Sequence, residues 1–290
     1  MSWSNPRTWV SGALVTAGGS AGLNTNLRDQ LLALPANVLS KSGNYTIVAP
    51  DDFIAGSVIV KVDTTGGGVT ITLPASATAG AGKQITVILS AATFTNGKSN
   101  TCIIDGNASE TINGLANTTL FLKHDYVELV SDGSNWIVTN EHTSVLASYY
   151  NDADIEFADN VFEQLLYNDA TIMDSASACS SGNFTVPVGF GGVYKFLVTM
   201  RWEGVADPGD TFYLTFYKNG SYADDWAASY VTWMDDGGRP SGYAITQADL
   251  SAGDVISVGG KANIADTEVD VDAGPALGCF HAQLIKRFWT

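Results

Sequence analysis

The chain has 290 residues, 45% of them hydrophobic and 15% charged, which is length for about two domains and enough apolar side chain to exclude global disorder. Gly, Thr, Ser, Ala and Val are abundant while Glu and Lys are scarce, a balance that favours strands and turns over long helices. The formal charge of −16 is uneven: residues 1–140 hold 7 Lys+Arg against 9 Asp+Glu, and residues 141–290 hold 7 against 21, so the second half is an acidic surface that argues against nucleic acid or an anionic membrane as partner.

Residues 1–40 read as an arm. Trp3, Trp9 and Val10 stand among Gly, Ser and Pro, apolar groups that are costly to leave exposed. In NTNLRDQLLALP, Leu27, Leu31 and Leu34 recur at helical spacing, Asn24 or Thr25 caps the start and Pro35 stops the run. A helix of about ten residues is too short to stand alone in water, so the arm is expected to dock. The opening MSWSNPRTWVSG lacks a basic stretch followed by an apolar core, and no apolar run reaches about 18 residues. These features predict synthesis in a cytoplasm and no membrane insertion.

Residues 41–140 alternate apolar and polar side chains in short runs: NYTIVA, GSVIVKVDT, GVTITLPA, KQITVILSA, TCIIDG, TTLFLK, DYVELVSD and NWIVTN. Turn residues separate them, among them Asn113-Gly114 and Asp132-Gly133, and the spacing predicts an antiparallel β-module. No helical crossover intervenes, which excludes a parallel α/β sheet. Residues 141–165 read as a connector. From 166 to 290 a second set of alternating runs, including GGVYKFLVTMRW, DTFYLTFYKNG, SGYAITQADL and DVISVGGKAN, predicts a second β domain.

Chemistry-bearing clusters are sparse. Cys102, Cys179 and Cys279 are odd in number and far apart, fitting neither a disulfide framework nor a metal site, and each is expected to be a small buried hydrophobe. His124, His142 and His281 are isolated, and no GxSxG, Walker or dinucleotide motif is present. Two features point to ligands. Asp266, Glu268, Asp270 and Asp272 alternate in ADTEVDVDAG, so a strand would line up four carboxylates on one face. Such a face is either solvated or neutralised by a cation, for which Ca²⁺ suits the oxygen donors. Tyr222, Trp226, Tyr230 and Trp233 are interleaved with aspartates, the composition either of a sugar-binding surface or of a buried core or protomer interface.

Three segments also resemble known families. WSNPRTWVSGALVTAGGSAGLNTNLRDQLLAL is similar to the N-terminal segment of tailed-bacteriophage virion proteins, carried by Pro6, Trp9, Leu23, Asn24, Leu27, Arg28 and Asp29, with an inserted GGSAG as a departure. The middle segment resembles phage-fibre β-modules through YTIVAPD, GGGVTITLP, INGLANTTL and VELVSDGSNWIVTN. The last segment looks like the trimeric jelly roll of tumour-necrosis-factor ligands and complement globular heads, through FTVPVGFGGVYKFLV, LTFYKNGS, ADLSAGDVISV and FHAQLI. The resemblance implies a mostly β chain: an arm with one short helix, an antiparallel β-module and a C-terminal β-sandwich jelly roll that forms a homotrimer. It further implies a non-enzymatic virion-surface protein, docked to other phage structural proteins through Trp3, Trp9, Leu27, Arg28 and Leu31. Its head would then meet a host-surface glycan or protein, as a tail fibre or receptor-binding adhesin. The alternatives are a capsid decoration or head-fibre trimer and, more remotely, a polysaccharide-degrading fibre enzyme.

Overall fold

The computed structural model describes residues 36–53, 56–95, 98–151, 155–158, 162–165, 169–203, 211–222, 229–232, 241–263, 268–271 and 279–289. The strands of the middle module follow the alternation in the sequence: β1 (Asn37–Lys41), β2 (Tyr45–Thr46), β3 (Ser57–Thr64), β4 (Val69–Thr72), β5 (Gln84–Ala92), β6 (Phe94–Thr95), β7 (Lys98–Ser99), β8 (Cys102–Asp105), β9 (Asn117–Leu120), β10 (Tyr126–Ser131) and β11 (Trp136–His142). A single helical turn, α1 (Ser76–Ala79), lies between β4 and β5. Every second side chain points inward: Val58, Val60 and Val62 from β3, Val69 and Ile71 from β4, and Ile85, Val87 and Leu89 from β5 share one core.

The pairing is mixed, where the turn spacing had suggested antiparallel strands throughout. One sheet runs β1-β3-β5-β10-β11 and the facing one β2-β4-β8-β9. Within them β1, β3 and β5 are mutually parallel, as are β2, β4 and β8. Parallel neighbours need a crossover, and here a strand of the opposite sheet supplies it, so no helix is required. The chain coils from sheet to sheet in rungs until β9 and β10 reverse it and pair antiparallel with β8 and β5. Trp136 closes this core: it is fully buried, and its indole Nε1 donates to Pro74 O at 3.2 Å.

The second unit begins earlier than the composition implied. Residues assigned to a connector form β12 (Leu146–Asn151), β13 (Ile155–Ala158) and β14 (Glu163–Leu165), and β12 is an interior strand paired with both β15 (Asp169–Asp174) and β25 (Cys279–Arg287). The run LASYYN mixes small and aromatic residues, so its alternation is weak even though Ala147 and Tyr149 are buried. Likewise β1, expected within the arm, belongs to the first sheet.

The remaining strands are β16 (Cys179–Ser180), β17 (Asn183–Thr185), β18 (Gly192–Glu203), β19 (Thr211–Lys218), β20 (Ser221–Tyr222), β21 (Ser229–Thr232), β22 (Ser241–Leu250), β23 (Val255–Asn263) and β24 (Glu268–Val271). One sheet runs β13-β24-β18-β25-β12-β15, with β22 on β18; its partner runs β16-β17-β23-β19-β20, with β14 on β23 and β21 on β19. From β17 onward the chain switches sheets at β18, β19, β22, β23 and finally, through β24, stays with β18 and β25. This is a jelly-roll sandwich. Its core is aromatic: the Phe196 ring stacks on Tyr194 and Phe280 at 6.1 and 6.0 Å and meets Phe184 edge-on at 5.7 Å. Asn219 and Gly220 both take positive φ, 52° and 75°, giving the type I′ turn that the Asn-Gly pair specifies between β19 and β20. At Gly192 a side chain would run into the backbone carbonyl of Lys286, so only glycine lets β18 and β25 approach there.

Replacing Trp136 by alanine removes the largest buried side chain of the middle module and its hydrogen bond. The expected cost is about 3–5 kcal/mol, read as a lower urea midpoint in far-UV circular dichroism.

Candidate functional site

Two surfaces and one junction hold the side chains from which function can be built. At the junction, Arg287 leaves the end of β25 and passes out of the jelly roll into the middle module. Its side chain is only 2% exposed. Nε donates to Gly189 O at 2.6 Å, and Nη1 donates to Thr118 Oγ1 at 2.7 Å and to Glu141 Oε2 at 3.3 Å. The guanidinium lies between two rings, 4.0 Å from Phe190 and 3.6 Å from Trp289. Trp289 Nε1 in turn donates to Glu141 Oε1 at 2.9 Å, so both carboxylate oxygens are engaged.

Apolar packing crosses the same junction. Phe121, from the middle module, belongs to the jelly-roll core and packs on Phe190 at 5.0 Å. The buried Asp125 carboxylate holds that stretch by accepting from the backbone N–H groups of Phe121, Leu122 and Ser144. Burial raises the Glu141 carboxyl above the usual range despite the pull of Arg287, and burial lowers Arg287 to about 10. Both shifts have desolvation as their largest cause, so this ion pair is costly to bury and acts to fix geometry. Beside it, a cleft of about 270 Å³ opens between Leu115 of the middle module and Val188, Gly189 and Phe288.

The outward face of the β15-β12-β25-β18-β22 sheet is mixed, a mainly apolar row beside a polar one of Gln283, Lys195 and Gln247. Its register sets Met173, Ser148, His281, Leu197 and Ile245 in one cross-strand row, and Tyr243 and Ile245 are exposed. Burial lowers the pKa of His281, which keeps it neutral at physiological pH.

The outward face of the β17-β23-β19 sheet has different chemistry. Phe212, Leu214 and Phe216 enter the core, leaving Thr211, Tyr213, Thr215 and Tyr217 on the other side of β19. The Tyr217 ring lies over Gly259, where a side chain would collide with it. Phe162 meets Tyr213 edge-on at 6.1 Å, and Lys261 Nζ sits 5.3 Å from the Phe162 ring and 5.9 Å from that of Tyr213.

Of the sites read from sequence, Trp3, Trp9, Leu27, Arg28 and Leu31 lie outside the described residues, as do Trp226, Trp233, Asp266 and Asp272. Tyr222 and Tyr230 lie in β20 and β21, where the register makes them cross-strand partners of Tyr217 and Tyr213. Glu268 and Asp270 lie two apart in β24, and Asp270 is the register partner of Glu156 on one side and Glu203 on the other. Among the described residues no group of three or more His, Cys, Asp or Glu side chains is arranged to hold a metal. Cys102 and Cys279 are buried and Cys179 is half-buried, all three with free thiols; burial pushes Cys102 up to about 12, which makes it inert at neutral pH. Arg287, Phe162, Tyr213 and Lys261 were not singled out from sequence. Arg287 carried a signal, a charged residue within an apolar terminal strand, but its partners are 146 and 169 residues away.

No family model matches this sequence, and no curated protein matches it. Among solved structures, the second half is similar to the globular domain of zebrafish complement 1qA protein (15% identity, 49% of this chain and 98% of that one, TM-score 0.36). Others are the Eiger TNF from S. frugiperda (13%, 50% and 94%, TM-score 0.36) and murine APRIL at pH 5.0 (11%, 49% and 100%, TM-score 0.37). The jelly-roll assignment itself rests on the strand order given above.

Replacing Arg287 by methionine leaves Glu141 buried without its cation and is expected to destabilise the chain by about 3–5 kcal/mol, whereas Arg287→Met with Glu141→Leu together cost much less; chemical denaturation of the singles and the double measures this. Because the folded state raises the Glu141 pKa, its contribution to stability is largest below the unfolded carboxyl pKa and is lost as pH rises through the raised value. Stability curves of wild type and Glu141→Gln, run upward from about pH 4, should therefore differ in slope in that sense.

Proposed function

We propose that this chain is a non-catalytic structural protein of a tailed-phage particle, a homotrimer anchored through its N-terminal segment and presenting the acidic jelly roll as an adhesin. The observation that carries the assembly is the row of Met173, Leu197 and Ile245 across the outward face of the β15-β12-β25-β18-β22 sheet, with Tyr243 exposed beside it. Contiguous apolar surface of this kind marks an association site, and a second and third copy of the chain supply the same chemistry. The number three and the phage setting come from the sequence resemblances in the arm, the fibre-like module and the head. The clamped junction supports a load-bearing role, because it makes module and head move as one body.

Sedimentation of the full chain is expected to give three chain masses. Glutamate at both Leu197 and Ile245 should give a monomer with unchanged circular dichroism; a wild-type monomer would overturn the assembly. Imaging particles labelled with an antibody against residues 150–290 tests the adhesin role. Label at the tail tip or baseplate supports it, label spread over the capsid makes the protein a decoration or head-fibre trimer, and label on neither refutes the virion reading.

A further inference from the structure

The two outward faces of the jelly roll differ in kind. The face described above as self-associating has Met173, Leu197, Ile245 and Tyr243 as its apolar groups. The opposite one, across β14, β23 and β19, carries Phe162, Gln164, Tyr213, Tyr217 and Lys261, aromatic rings with amide, phenol and ammonium groups, while Thr215 is buried beneath them and Val255 lies at the far end of β23. Aliphatic faces gain by excluding water against a like surface, whereas rings interspersed with hydrogen-bonding groups suit a ligand that is itself half polar.

Lys261 is the second, independent observation. The segment from 141 to 290 holds 21 Asp+Glu against 7 Lys+Arg, yet among the described residues Lys261 pairs with no carboxylate. Lys218, on the same strand pair, does so with Asp254 at 2.9 Å. The Lys261 ammonium instead lies beside the ring pair Phe162–Tyr213, 5.3 and 5.9 Å from the two ring centres. Among the described residues no carboxylate takes up its three N–H donors. Phe162, 40% exposed, is the open member of the pair. Gln164, two residues further along the same edge strand, places its amide beside them, oriented by its own bond to Asn183 Oδ1 at 2.9 Å.

We propose that this face binds a carboxylated pyranose sugar, its carboxylate on Lys261, its C–H face against Phe162 and Tyr213, and a ring hydroxyl on Gln164. The electron-rich ring faces attract the polarised C–H groups of a pyranose, and the ammonium selects an acidic sugar over a neutral one. The acidic domain repels such a ligand at long range, but that repulsion is screened beyond about 8 Å at physiological ionic strength, so the nearest groups decide. The inference rests on the adhesin reading in taking the head to face outward, and it names the class of ligand.

The test is titration of the full chain with 3′-sialyllactose and with a galacturonic acid hexamer, against lactose and maltohexaose as neutral counterparts, by calorimetry or saturation-transfer NMR. At least one acidic probe is expected to bind tenfold or more tightly than its neutral counterpart, and which one does so separates a sialylated from a uronate-bearing source. Lys261→Gln should abolish that preference, Lys261→Arg should retain it, and Phe162→Ala should weaken binding at least fivefold. Lys61→Gln, on the outer side of the middle module, should change nothing. Equal affinity for acidic and neutral sugars, a preference that survives Lys261→Gln, or no binding of any probe would overturn the proposal. Sedimentation on the same samples keeps the two readings apart: a trimer that binds no sugar refutes the ligand alone, and a monomer that binds an acidic sugar refutes the assembly alone.

Discussion

The burial of one guanidinium organises the whole described chain. Arg287 can be dry only because two rings cover its faces and its edge finds Gly189, Thr118 and Glu141. Those partners come from the start of the jelly roll and from two strands of the middle module. The last strand of the head is therefore completed by groups of the module, and the module's final strand carries a carboxylate whose cation comes from the head. Neither ion is stabilised by burial alone, as the opposed pKa shifts indicate. What the pair supplies is specificity: a single relative placement of two β units that the packing of Phe121 on Phe190 also joins.

With the junction fixed, the two sheets of the head face in defined directions and carry separate work. The sandwich needs only its inward side chains to be stable, and the interlocked rings of Phe184, Tyr194, Phe196 and Phe280 provide for that. The outward positions are thus open to selection for other purposes. One sheet has set a row of aliphatic groups among its polar ones, and the other carries rings, an amide and a lysine. Period-2 alternation makes this division available, since each strand has a side the core does not use.

Much of this was legible in the sequence. The eight runs of the middle module correspond to strands, the Asn-Gly pair at 219–220 makes its turn, and Trp136 closes the core as its position after a tight turn suggests. What was hidden has a common cause. Alternation reports which side of a strand is buried but not the direction of its neighbour, so the parallel rungs of β1, β3 and β5 read like antiparallel ones. The strand Leu146–Asn151 was read as connector because small residues and a bulge blur its period. Arg287 looked like an ordinary terminal charge, since nothing local announces a partner in a different unit. The tyrosines of β20 and β21 drew notice as a cluster, yet their relation to Tyr213 and Tyr217 exists only in the register.

The coiled rungs of the middle module have an evolutionary corollary. Each turn of the coil joins one strand of either sheet and stacks on the next through parallel backbone pairing. A duplicated turn could thus be spliced in without altering the reversal at β9 and β10 or the seat of Arg287. Reach and grip are encoded in different stretches of the gene, so descendants of such a protein can grow taller by whole increments while keeping the same head on the same collar.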